Sequence, residues 1–232
     1  MKKLILLLLS FPLFVIDVSA QTITTQDVEE AIAETYGYKP ETGEEYLTLA
    51  DELVATYPLD MNNQLSFTHI LDVPGKTKDE IFIAINAWFV ASFNDGKSVI
   101  QMTDKDTGII LAKGYLNGVG HRIGFAKSVL VGEYIVIRLD IKDEKIRLIT
   151  SISEYYMETS AGVGQMLFGG AVPKDITIPI YASYPFDKKS YKSYKREAAI
   201  GYVGGIAYSH VLKNKVEKAI NLGITGTEDE DW

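Results

Sequence analysis

The sequence predicts an α+β fold, a small antiparallel sheet packed under helices and preceded by a helical extension. Three observations predict it. Apolar residues recur at helical spacing behind Thr-x-x-Glu pairs, they alternate with period two in stretches between Leu65 and Ser153, and a long helical pattern ends near Ile220. The order read between Leu65 and Ile220 is β-α-β-β-β-β-α.

Ahead of that order stands an export signal. Lys2 and Lys3 precede the apolar runs Leu4–Leu9 and Phe11–Ile16, and Val18-Ser19-Ala20 places small residues where a signal peptidase cuts. Residues 1–20 are therefore expected to be removed before Gln21. Ser10 and Pro12 interrupt the run, which falls short of the ~20 residues of a membrane-spanning helix. With no cysteine to carry a lipid, the mature chain is expected to be periplasmic or otherwise exported, without a transmembrane span.

Residues 21–60 read as the helical extension. Asp27–Tyr36 carries Val28, Ala31 and Ile32 on one side and ends at Gly37, and Gly37–Pro40 is a turn. Thr42 and Glu45 stand at the spacing of a capping box and open a second helix, with Tyr46, Leu49, Leu53 and Val54 as its stripe. Tyr57-Pro58 closes it, since the residue before proline is pushed out of helical geometry.

The sheet-bearing core spans 61–156. Leu65, Phe67, His69, Leu71 and Val73 alternate with Ser66, Thr68 and Asp72, a strand with one buried face. Thr77 and Glu80 then open a helix carrying Ile81, Phe82, Ile85, Trp88, Phe89 and Phe93, which Asn94-Asp95-Gly96 terminates. Two hairpins follow. Ser98–Thr103 joins Gly108–Leu116 through Asp104–Thr107, and Tyr134–Ile141 joins Ile146–Ser153 through Lys142–Lys145. Asn117–Leu130 reads as a longer, glycine-bearing connection with room for a strand extension. Residues 157–189 read as an irregular glycine-rich connection, in which Pro179 confines a short strand, Ile176–Tyr181, to a sheet edge. A closing helix, Ser190–Ile220, occupies 190–222, and 223–232 is an acidic tail expected to be disordered.

Composition removes several function classes. The 232 residues carry 23 Lys and Arg against 31 Asp and Glu, a net charge of −8; losing Lys2, Lys3 and Asp17 with the leader makes it −9. Binding to phosphate backbones rests on Lys and Arg releasing counterions, so this balance argues against nucleic acid as a partner. The absence of cysteine excludes disulfides, thiolate metal sites and thiol catalysis. A chain of this length buries roughly 70% of its unfolded surface and needs no such staple.

Within the core, a set of short motifs occurs in order. Lys76-Thr77-Lys78-Asp79-Glu80-Ile81 leads to Trp88-Phe89, followed by Val99-Ile100-Gln101 with Asp104–Gly108, then Lys113-Gly114 and the block Tyr134–Arg147. This set resembles a family of exported bacterial proteins catalogued as domain of unknown function 4468, with a TBP-like fold. The resemblance covers about residues 62–155, with Tyr184-Pro185-Phe186 as a weaker echo. It implies a TBP-like β-α-β-β-β-β-α architecture and an envelope location in gram-negative bacteria. It implies no activity and supplies no catalytic residues, and a fold label alone brings no DNA binding.

No catalytic, cofactor or metal site emerges from the motifs. Gly96-Lys97-Ser98 lacks the glycine of a phosphate loop five positions earlier, where Ala91 stands, and leads from helix to strand instead of strand to helix. Asp104–Gly108 opens like a calcium loop, yet no acid lies between Gly108 and Tyr115, where such a loop ends; a hairpin turn is the reading. Gly118-Val119-Gly120 with Gly124 misses the dinucleotide spacing by one residue and precedes no helix, so it reads as a loop. His69, His121 and His210 share no ligand spacing, and His69, in phase with Leu65 and Leu71, is placed at the boundary of sheet and helix. No Gly-x-Ser-x-Gly elbow occurs. Paired carboxylates need no sequence proximity, and nothing singles out a pair.

Two surfaces stand out. Lys188, Lys189, Lys192, Lys195 and Arg196, interleaved with Tyr191 and Tyr194, form either a solvated helix entry or a contact for an acidic partner, glycan or anionic headgroup. Ala161–Val172 together with Gly201, Gly204, Gly205 and Ala207 reads as internal packing, with a partner or peripheral membrane contact as the other reading. The function these observations favour is a non-catalytic envelope module binding a protein, peptide or small apolar ligand through the open sheet face or helical flank. A hydrolase acting on envelope glycans or peptides is the alternative, and a structural spacer a third. A catalytic reading demands a cleft where titratable groups converge; a binding reading predicts an apolar groove with few acids.

Overall fold

Three threonines begin the first three helices among the described residues. In the computed structural model, which describes residues 23–93, 99–171, 174–186 and 194–221, Thr24, Thr42 and Thr77 each accept a hydrogen bond from the backbone N–H three residues on. The acid at that third position accepts in return from the threonine's own N–H. Helices α1 (Thr25–Tyr36), α2 (Gly43–Leu53) and α3 (Lys78–Ser92) follow. The first box uses Asp27 in place of glutamate, so α1 starts two residues ahead of the predicted Asp27. Gly37 closes it at a φ of 76°.

The strands are β1 (Leu65–Asp72), β2 (Ile100–Asp104), β3 (Ile109–Arg122), β4 (Lys127–Lys142), β5 (Lys145–Ala161) and β6 (Ile176–Pro179). All pairings are antiparallel, in the order β1-β5-β4-β3-β2, and β6 extends the β1 side of β5 by pairing with Glu154–Met157. Helix α3 thus carries the chain from one edge of the sheet to the other, and the next four strands meander back. At the β2–β3 turn, Asp104 Oδ1 accepts from the N–H groups of Asp106 (3.0 Å) and Thr107 (3.1 Å), the hairpin chemistry expected there.

One expectation, the strand extension within Asn117–Leu130, is enlarged, and one is corrected. Asn117–Leu130 is mostly strand: β3 runs to Arg122 and β4 starts at Lys127, leaving residues 123–126 as the turn. A register shift between Leu116 and Gly120 breaks the period-two pattern, and glycine at 118 (φ 81°) and 120 removes the side chains that would have displayed it. The region after Tyr156 likewise begins as sheet, because Met157–Ala161 pairs with Lys127–Val131. Helices α4 (Val163–Phe168) and α5 (Ile180–Ser183) flank β6. The turn at Asn94–Gly96, Ser98, residues 1–20 and the acidic tail lie outside the described residues.

Helix α6 (Lys195–Asn221) lies across one face of the sheet, with Ile135, Ile137, Leu148, Ile152 and Tyr155 buried beneath. Its small residues let it come close. A Cβ added to Gly201 would stand 2.5 Å from Cδ1 of Tyr155, and one on Gly204 2.6 Å from the carbonyl oxygen of Val119. The helical glycines are therefore internal packing. Helix α3 covers the same face through Ile81, Ile85, Trp88 and Phe89, all buried, and α1 and α2 pack on α6. Each such fully buried large side chain contributes about 1.5–3 kcal/mol. No helix among the described residues is long and apolar enough to cross a membrane.

Candidate functional site

Strand β2 pairs with β3 only as far as Ala112. Past that point a recess of about 320 Å³ opens against the uncovered edge of β3, within the range of small-molecule sites. Val28 of α1, Trp88 and Phe93 from the end of α3, Leu116 and Val119 of β3 and Tyr208 of α6 supply apolar and aromatic wall. Thr24, Ser92 and Asn117 add polar groups. The hydroxyl of Thr25 donates to the carbonyl of Gly118 at 2.6 Å and ties α1 to the bulged part of β3, which fixes that side.

The Trp88 ring meets Phe89 and Phe93 edge-on, at centroid distances of 5.0 and 5.9 Å. Its indole Nε1–H is buried and has no acceptor among the described residues. An unmet buried donor costs about 1–3 kcal/mol, so an acceptor that reached this N–H would be stabilised there. No carboxylate, histidine, lysine or arginine is among the described residues lining the recess.

Behind the wall lies Glu133. It is 0% exposed and pairs across the sheet with Leu116 on β3 and Tyr155 on β5. Neither carboxyl oxygen has a hydrogen-bond partner among the described residues, nor does the Tyr155 hydroxyl. Burial pushes the carboxyl well above the usual carboxylate range. The Tyr155 and Tyr208 hydroxyls are raised too, by burial first and then by the carboxylate beside them. Gly205 of α6 makes room, since a Cβ there would stand 2.9 Å from Oε1. The predicted strand began at Tyr134, seven residues after β4 does and one short of Glu133; the run Val129, Val131, Glu133, Ile135, Ile137 carried the signal, an acid in phase with four inward-facing residues.

The histidines did come partly together. His69 Nε2 lies 2.8 Å from Ser209 Oγ, which is 3.3 Å from Thr150 Oγ1, and the His210 ring stands 5.5 Å from that of His69. Burial lowers the pKa of both rings, with the neighbouring His210 and Lys213 adding to the shift at His69. Ser209 is buried, so this hydroxyl–imidazole contact joins α6 to the sheet and offers a substrate no approach. His121 sits elsewhere, 3.4 Å from Glu29, which also pairs with Lys39 at 2.6 Å. No group of three His, Cys, Asp or Glu among the described residues could hold a metal ion.

Of the basic surface, Lys188, Lys189, Tyr191 and Lys192 lie outside the described residues. Arg196 Nε donates to Glu44 Oε1 at 2.7 Å and its stem lies against Gly43, so it fastens α6 to α2. The Lys127 ammonium lies 4.9 Å from the Tyr194 ring centre. Lys195 is half-buried in the first turn of α6.

Residues 67–155 match the family model described as domain of unknown function (DUF4468) with TBP-like fold. Among solved structures, a TBP-like protein from Parabacteroides distasonis is 15% identical, with a TM-score of 0.50, covering 71% of this chain and 97% of its own. A DUF4468 family protein from Bacteroides ovatus is 12% identical, with a TM-score of 0.46, covering 74% and 97%. No curated protein matches. The family match and the likeness to the Parabacteroides distasonis structure show the TBP-like α+β fold.

Proposed function

We propose that this chain, whose core carries a domain matched by a family of unknown function, is an exported, non-catalytic binding module that takes a small apolar or aromatic molecule bearing a hydrogen-bond acceptor in the recess beside Trp88. The observation that carries this reading is an aromatic-walled recess in which the Trp88 indole N–H has no acceptor among the described residues. Among the described residues the lining carries no charged side chain, which supports binding over hydrolysis, because hydrolysis needs groups that move protons at the bond being broken. The export half of the reading rests on the leader-like pattern at residues 1–20.

The test uses protein exported by cells carrying the full gene, with Gln21 expected as its first residue by mass spectrometry. Trp88 and Trp232 are the only tryptophans, so Trp232→Phe isolates Trp88 fluorescence. Titration with 6-propionyl-2-(dimethylamino)naphthalene, whose ketone is an acceptor, should quench Trp88 by energy transfer, and Val99→Phe, which fills the recess, should weaken binding about tenfold, equivalent to ~1.4 kcal/mol. Quenching that Val99→Phe leaves unchanged, or none at all, would refute the assignment.

A further inference from the structure

The β3–β4 turn and α4 lie side by side at one end of the sheet. Gly164 N–H donates to the carbonyl of Phe125 at 2.8 Å, and Gly162 N–H to that of Ala126 at 3.2 Å. Gly164 has no side chain where a Cβ would stand 2.3 Å from the Phe125 ring. These contacts fix one segment against the other.

The side chains they carry face outward. Ile123, Phe125, Val163, Met166, Leu167 and Phe168 are each more than half exposed, Phe168 at 81%. Single exposed apolar residues are ordinary, but six on two adjoining segments mark a contact surface. The two segments themselves carry no acid. No acid occurs between Arg122 and Gly132 or between Thr159 and Lys174, in a chain with 31 acids, while Arg122, Lys127 and Lys174 border the apolar stretches. Of the acids that come near, Glu197, beneath the tip, is buried and held by Arg122 at 2.6 Å and Lys127 at 3.7 Å, Asp175 accepts from Thr159 N–H and the Tyr156 hydroxyl, and Glu158, exposed opposite Leu130, lies further from the tip along β5.

We propose that this tip docks on an anionic lipid bilayer, with the apolar side chains in the headgroup layer and the bordering cations facing phosphates. Charge selects this occupant over a second copy of the chain, since tip-to-tip pairing would set Lys174 and the net positive group of Arg122, Lys127 and Glu197 against their own counterparts. The proposal rests on residues separate from the recess and is independent of what fills it.

The experiment is co-sedimentation of the exported protein with vesicles of phosphatidylcholine alone or mixed with phosphatidylglycerol. Wild type is compared with Leu167→Ser/Phe168→Ser and with Lys174→Glu. All three share one N-terminus, so differences report the tip. Expected are pelleting with the phosphatidylglycerol vesicles, at least tenfold weaker binding for the double variant, a smaller loss for Lys174→Glu, and loss in high salt. Unchanged melting of the variants would confirm that folding is intact. Three outcomes overturn the proposal: no pelleting, pelleting indifferent to the substitutions, or self-association without vesicles that Leu167→Ser/Phe168→Ser abolishes.

Discussion

Helix α6 and the segment around α4 are both built from glycine, alanine and large apolar residues, yet one is sealed against the sheet and the other faces outward. In α6, Gly201 receives the Tyr155 ring and Gly204 the Val119 backbone, so each missing side chain is filled by a neighbour. Around α4, Gly162 and Gly164 are filled, by the backbone of the β3–β4 turn and by the Phe125 ring, but past the helix a Cβ on Gly169 would meet nothing within 4 Å. A small residue signals tight packing only when something occupies the space it leaves. The sharpest way to break this comparison is Gly201→Leu against Met166→Ser. Gly201→Leu forces a side chain into the Tyr155 ring and should cost about 3 kcal/mol or more in urea unfolding, or abolish the cooperative transition. Met166, 74% exposed, should tolerate serine within about 0.5 kcal/mol. Equal losses would mean that the two regions are packed alike.

The sealed region also holds the buried acid, and pH reads its isolation. Because the folded state raises the Glu133 pKa, it holds that proton more tightly than the unfolded chain does. Stability from this group is therefore fully present below the unfolded value near 4.5 and is lost as pH rises towards the folded pKa, by about 1.4 kcal/mol per pH unit. His69 and His210, lowered by burial, act oppositely, since their folded forms bind protons less well than the unfolded chain near pH 6.5. The difference between wild type and Glu133→Gln cancels the histidines. Unfolding from pH 5 to 7 should show Glu133→Gln becoming progressively the more stable protein. Parallel curves would mean that Glu133 ionises as freely folded as unfolded.

What could be read from the residues divides along the same line. Two of the three capping boxes, Thr42–Glu45 and Thr77–Glu80, were legible because their chemistry is local, and the alternation from Leu65 to Val73 survives in a strand without bulges. The continuation of β3 was not legible, since a bulge and two glycines erase the period there. The recess was invisible for a different reason. Val28, Trp88, Val119 and Tyr208 are ordinary core residues in their own segments, and only the early end of β2 leaves a gap between them. Glu133 could have been found, had the inward phase of β4 been extended two residues towards its start.

The smallest effect concerns two neighbours in the first turn of α6. Arg196 and Glu197 each belong to an arginine–glutamate pair, but Glu197 is buried under Arg122 whereas Arg196 and Glu44 are both about half exposed, 48% and 62%. Water screens the outer pair, and holding two long side chains in one geometry costs entropy, so such pairs contribute about 0–1 kcal/mol. Arg196→Ala also strips the stem that covers Gly43, a loss of packing as well as charge. The expected cost is about 0.5–1 kcal/mol in urea unfolding, with the charge part disappearing in high salt and the packing part persisting. A cost of several kcal/mol would place this pair with the sealed interior, and the division between the two regions would have to be drawn further out along α2.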